Sequence, residues 1–171
     1  MVSKRLKKEF YQQSALIVAP SLLGKYLVRK INNKEIRCKI VETECYIGEN
    51  DTASHARMGK TKRNYLMYEE GKVTYIYLCY GLYYLFNVVT GKKDYPEAVL
   101  IRKVESYAGP GILTKALNIT KELNGIDLTK SKEIWIEDSN EKVLYDTSVR
   151  VGISYADEPY KSIKWRFILK K

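Results

Sequence analysis

The spacing of apolar and polar positions along this chain predicts strands far more often than helices. Tyr26 to Ile31 is a short apolar-rich run that reads as a strand, with Asn32, Asn33 and Lys34 as the turn that follows it. A second strand is expected from Ile36 to Ile47, ended by Gly48-Glu49-Asn50-Asp51. The stretch from Val73 to Gly91 carries no charged residue and approaches the length of a membrane span. Its five tyrosines, two threonines and β-branched residues suit strands better, so it is read as a hairpin: Lys72 to Cys79, a tight turn at Tyr80-Gly81, and Leu82 to Thr90. Further strands are expected at Ala98 to Val104, Glu133 to Ile136, Ser148 to Ile153 and Trp165 to Leu169.

Helical signals are fewer. Ser3 is placed to cap a helix over Lys4 to Tyr11, and Ser14 and Pro20 open short helical turns that close at Gly24. After Gly109-Pro110-Gly111, the spacing of Ile112, Leu113, Ala116 and Leu117 predicts one more helix. Thr52 to Tyr65 is polar, basic and without a period, which marks a surface loop. With no repeat, linker or charge block to divide it, the chain is expected to form one mixed α+β domain over residues 1–171.

Charge and aromatic content narrow the class of partner. The 171 residues include 30 Lys plus Arg against 20 Asp plus Glu, a formal net charge of +10, and 15 Tyr against 3 Phe and 2 Trp. Surplus positive charge favours polyanions and amphipathic rings favour stacking, so nucleic acid is the first partner to test. Cys38, Cys45 and Cys79 follow no ligand or disulfide spacing, which points to a reducing compartment and predicts no metal site. The basic N-terminus lacks the apolar core of a signal peptide, so the expected location is intracellular, cytoplasmic or nuclear, without membrane attachment.

Candidate chemistry gathers in four places. In Val41-Glu42-Thr43-Glu44-Cys45-Tyr46-Ile47 a strand sends Glu42, Glu44 and Tyr46 to one face and the apolar residues to the other. Two carboxylates beside a ring suit acid–base work, although the same pattern fits a solvated strand face. Tyr75 and Tyr77 share a face of the hairpin with Tyr80 at its tip, an arrangement open to plain packing or to wedging into a base stack. Asn87 lies in an apolar strand, where a buried amide needs partners. His55 sits in a loop with Arg57, Lys60, Lys62 and Arg63, residues suited to phosphate contacts and equally to a solvated face. Arg102, inside another apolar strand, calls for a carboxylate, and Glu42 and Glu44 are the candidates.

The order of these blocks resembles the alkyladenine (methylpurine, or 3-methyladenine) DNA glycosylase family of the mammalian type. The likeness runs from Val41-Glu42-Thr43-Glu44-Cys45-Tyr46 through Ser54-His55-Ala56-Arg57 and Tyr75 to Tyr83, ending that stretch at Asn87. It continues through Leu100-Ile101-Arg102, Gly109 to Leu113, Arg150-Val151-Gly152 and Trp165-Arg166-Phe167. The resemblance implies a curved antiparallel sheet with a protruding hairpin and flanking helices. It also implies a monofunctional enzyme, expected as a monomer without cofactor or metal, that flips alkylated or deaminated purines out of double-stranded DNA and hydrolyses the glycosidic bond. By the same resemblance, Glu44 activates water and Arg102 helps hold the water and the nucleotide. Tyr46, His55 and Tyr77 line the base pocket, and Asn87 crowds the 2-amino group of guanine. Tyr80 fills the gap left in the duplex, and Arg57, Lys60, Lys62 and Arg63 are expected to contact DNA.

Two departures from the family pattern stand out. Cys45 replaces a residue that is more often small, which predicts a slight change of pocket packing. Glu105 to Ala108 joins the Arg102 strand directly to Gly109, where many relatives carry a longer segment. The competing reading is a noncatalytic basic nucleic-acid-binding domain, which uses the same charge and tyrosines but leaves Glu44 and Asn87 without a role.

Overall fold

The computed structural model of the chain describes residues 4–171, so the Ser3 cap lies outside the described residues. Among those residues the backbone forms helices α1 (Lys8–Tyr11), α2 (Ala15–Ser21) and α3 (Pro110–Ala116), and strands β1 (Tyr26–Ile31), β2 (Lys34–Ile47), β3 (Thr74–Cys79), β4 (Tyr83–Val89), β5 (Glu97–Val104), β6 (Ile134–Glu137), β7 (Tyr145–Ser148) and β8 (Arg166–Leu169). The strands join in one antiparallel sheet in the order β3-β4-β5-β2-β1-β6, with β8 also paired to β2 and β7 to β8. This curled, α+β arrangement is the expected class.

β2 organises the sheet because it is long enough to serve two neighbourhoods. Its first half pairs with β1, whereas Glu42, Thr43 and Glu44 lie between β5 and β8. The β2–β5 register shifts on either side of Glu42: Ile40 faces Val104, Glu42 faces Lys103, and Thr43 faces Ile101. Val41 is therefore the extra residue on one strand and Arg102 on the other, and such paired bulges bend strands and re-aim side chains. Leu27, Ile40, Cys45, Phe86, Val88, Val99 and Ile101 form the buried interior with residues of the packed helices, including Val18, Leu22 and Leu113.

Local chemistry explains where sequence expectation and structure part. The residues expected to begin the first helix are extended: the Leu6 N–H donates to Ile136 O at 2.9 Å and Arg5 bridges Glu137, so pairing with β6 leaves only one helical turn at α1. Ser14 does cap α2, its hydroxyl accepting from the Leu16 N–H, but Pro20 falls inside that helix instead of opening another turn. In place of the strand expected at Ser148 to Ile153, β7 runs Tyr145–Ser148 and stops there; beyond it the Val151 amide donates to Glu44 and Gly152 has a φ of 74°. The segment Thr52 to Tyr65, read as a surface loop, buries Ala53, Ser54, Ala56 and Asn64. The Asn64 amide closes it by donating to the carbonyls of His55 and Gly59.

Candidate active site

β2 places Glu44 between β5 and β8, where its side chain is fully buried. That excludes the solvated strand face, since a lone carboxylate is costly to bury without compensation. Three groups compensate it. Tyr46 Oη donates to Oε1 at 2.8 Å, the Val151 N–H donates to Oε2 at 2.7 Å, and Arg102 Nε lies 3.7 Å from Oε2. Burial still outweighs them and holds the Glu44 pKa above the ordinary carboxylate value, a common condition for a general base. Arg102 also donates to Glu42 Oε2 at 2.9 Å, so both candidate carboxylates do face it.

Tyr46 is fixed on two sides. Its hydroxyl is held by Glu44, and the Arg150 guanidinium lies 4.8 Å from its ring centroid and 5.1 Å from that of Trp165. Arg150 pairs with Asp51 through two contacts of 2.7 and 2.9 Å, both side chains fully buried, and donates to the carbonyls of Cys45 and Tyr160. Asp51 in turn accepts from the Ile47 and Ala53 amides. This pair ties the loop after β2 to the segment after β7, and that tie brings the Val151 amide to Glu44.

The opposite wall comes from β3 and the loop before it. The rings of His55 and Tyr77 are 4.2 Å apart, and His55 Nδ1 shares a 2.9 Å hydrogen bond with the Tyr75 hydroxyl. Burial, reinforced by Arg63 and Arg57, pushes the His55 pKa down to about 4, so the imidazole is neutral near neutral pH. Asn87, on β4 opposite Tyr75, is buried and donates to the Tyr75 carbonyl at 3.2 Å. Tyr46, His55, Tyr75, Tyr77 and Asn87 surround a small cavity of about 40 Å³, large enough for one water but not for a purine. It opens on a groove of about 700 Å³ that Tyr80, Arg63, Arg102 and Val151 also line.

Tyr80 stands at the hairpin tip, 86% exposed, with a φ of 50° followed by 66° at Gly81. A bulky residue in the left-handed region is uncommon and strained, and such strain gathers at functional sites. Arg57 and Arg63 are exposed on the groove rim, Arg57 over the Tyr155 ring and Arg63 over that of Tyr77. Lys60 is exposed and lies over Tyr68, and Lys62 is exposed; neither lines the groove. The fold thus brings Glu44, Tyr46, His55, Tyr77, Asn87 and Arg102 together, and of these Tyr46, His55, Tyr77 and Arg102 line the groove with Tyr80, Arg57 and Arg63. Cys45 is fully buried in the core, on the strand face away from this cavity, so it does not shape the pocket wall directly. The short connection after β5 is a tight turn, in which Val104 and Tyr107 exchange backbone hydrogen bonds before α3.

Sequence reasoning singled out neither the Val151 amide, the Asp51–Arg150 pair, nor Tyr155, whose hydroxyl donates to Ala53 O at 2.8 Å beside the cavity. The only hint was the block Arg150-Val151-Gly152.

Comparison with known proteins points the same way. The family described as methylpurine-DNA glycosylase matches residues 9–171. A protein of Natranaerobius thermophilus named "Putative 3-methyladenine DNA glycosylase" is 42% identical, with 97% of this chain and 96% of that protein covered. Proteins of the same name from Borrelia garinii subsp. bavariensis and Methanocella arvoryzae are 43% and 40% identical. The alignments cover 96% of this chain and 96% of the first protein, and 95% of this chain and 90% of the second.

Proposed function

The chain belongs to the methylpurine-DNA glycosylase family, and we propose on that premise that it removes alkylated and deaminated purines from duplex DNA, 3-methyladenine first among them. It is a DNA glycosylase; the lesion range, the flipping step and the residue roles are the proposal. The observation that carries it is the fully buried Glu44 carboxylate, held by Tyr46, Val151 and Arg102, three residues that themselves line the groove.

In this reading the damaged nucleotide leaves the stack and its purine enters the wide groove, where Tyr46, His55 and Tyr77 also form part of the wall. Glu44 takes a proton from water as its oxygen bonds to the deoxyribose C1′. The C1′–N bond breaks, and its electron pair leaves with the purine. Positive charge building on the sugar is opposed by the same carboxylate. An N3-alkylated adenine is already cationic, so it departs neutral without a general acid, and electron-rich rings suit it; a neutral deaminated purine departs as its anion and takes up the proton released from the water. The neutral His55 adds no repelling charge to that pocket. Tyr80 occupies the space left in the duplex, Asn87 crowds guanine, and Arg57, Lys60, Lys62 and Arg63 meet phosphates. The product is an abasic site, the substrate for the next step of excision repair, and the work is done as a monomer inside the cell.

The test is glycosylase assay of the wild-type protein on duplexes bearing 3-methyladenine, hypoxanthine or ethenoadenine. Release of free base from at least the first, leaving an alkali-labile site, is expected. Tight binding to all three without base release would replace this reading with that of a noncatalytic binder.

A further inference from the structure

Glu42 is the part of the two-carboxylate strand that the reaction above does not use. Its Oε2 accepts from Arg102 Nε at 2.9 Å and lies 3.5 Å from Arg166 Nη1. Arg166 is itself anchored, its Nε donating to Val149 O at 2.8 Å. One carboxylate thus sits between two guanidinium groups, with only 15% of its side chain exposed. The bulges on either side of Glu42 make Arg102 the extra residue of β5 at this point, which lets it share a face with Glu42 and Glu44. Among the described residues, the side-chain hydrogen bonding of Arg102 is confined to Nε. Its two terminal nitrogens are left for the groove that the residue lines.

Without Glu42, the nearest carboxylate to Arg102 is Glu44, at 3.7 Å from the same Nε, just beyond hydrogen-bonding distance. Coulomb attraction in so buried a site is strong and favours a closer approach of Arg102 to Glu44. Arg102 already lies within ion-pair reach of Glu44 without a hydrogen bond; closing that gap to a hydrogen-bonded pair would lower the basicity of Glu44 further and draw the guanidinium out of the groove.

We propose that Glu42 is a positioning residue: it holds Arg102 off Glu44, so that Glu44 keeps its basicity and Arg102 keeps its terminal nitrogens for the bound nucleotide. The proposal rests on the glycosylase reading for its kinetic consequence, but its structural consequence concerns the DNA-free protein alone. The charged and titratable groups around Glu44 are Arg102 from β5, Tyr46 and Cys45 from β2, Arg150 from the segment before Val151, and Tyr77 from β3. Arg166 of β8 acts only through Glu42.

The experiment compares Glu42→Ala, Glu42→Gln and wild type in two measurements. The first is titration of the Glu44 side-chain carboxyl by carbon-13 NMR without DNA, with the resonance assigned by its loss in Glu44→Gln. The second is single-turnover excision as a function of pH. Glu42→Ala is expected to titrate Glu44 at lower pH than wild type. It should also lose about 10²-fold in excision at neutral pH, the scale of an ångström-sized misplacement, with its acid limb moved to lower pH. Glu42→Gln retains an acceptor for Arg102 Nε and the same volume, so it should fold, shift Glu44 less, and recover most of the excision rate. Unchanged Glu44 titration in both variants overturns the proposal even if Glu42→Ala is unstable, and so does excision by Glu42→Ala within twofold of wild type. If the wild type excises nothing, the glycosylase reading fails while the DNA-free titration still decides the role of Glu42.

Discussion

Glu44 is where opposing forces on a single side chain are most evident. Burial favours its protonated form, while Arg102, the Val151 amide and the Tyr46 hydroxyl favour the carboxylate, and burial is the larger effect. A general base acts deprotonated, so excision should rise with pH through a midpoint above the ordinary Glu value of 4.5. His55 is shifted the other way, to about 4, and stays neutral across that rise. Its depressed pKa contributes stability that is present above the unfolded value near 6.5 and is lost as pH falls toward 4. Single-turnover rates on a hypoxanthine duplex should therefore show one acid limb, and His55→Gln should leave its midpoint in place. A midpoint that moves with His55→Gln would assign the limb to the histidine. Alternation on a strand was enough to put Glu42, Glu44 and Tyr46 on one face. It could not reveal the Asp51–Arg150 pair, whose partners stand 99 positions apart and meet only through the fold.

Elements with strong local chemistry were legible in the sequence. β1 runs over the expected Tyr26 to Ile31, and the β3–β4 hairpin turns where Tyr80-Gly81 placed it. The Gly109-Pro110-Gly111 signal opens α3, with Pro110 in its first turn. What escaped were segments whose backbone is claimed by distant partners, such as Leu6 by β6 and Val151 by Glu44. The hairpin turn also carries a testable conflict. Tyr80 holds a left-handed backbone that glycine adopts without penalty, so Tyr80→Gly should stabilise the fold by about 1 kcal/mol. The same change removes the exposed ring, so a fluorescent reporter base in the duplex should lose most of its flipping signal on binding. A gain of stability with the signal intact would deny Tyr80 its place in the duplex; loss of stability would deny the strain.

At the scale of the molecule, composition indicated attraction to a polyanion, with a net charge of +10 and 15 tyrosines. It could not say how few of those residues do chemistry. The curl of the sheet gathers Tyr46 from β2, Tyr77 from β3, Asn87 from β4, Arg102 from β5 and Val151 from the loop after β7 around the cavity and its groove, with Glu44 of β2 buried behind Tyr46, Arg102 and Val151. Those positions span more than half the chain. Only the order of the blocks, read as a family likeness, anticipated that they converge. Under the proposed function, charge and groove serve to attract DNA, and bond breaking falls to one buried carboxylate. The direct test is Glu44→Gln under single-turnover conditions on a lesion-bearing duplex, with binding measured on the same DNA. The variant is expected to bind within a few-fold of wild type and to lose at least about 10²-fold in base release, the lower range for removal of a general base. Base release at the wild-type rate would contradict it.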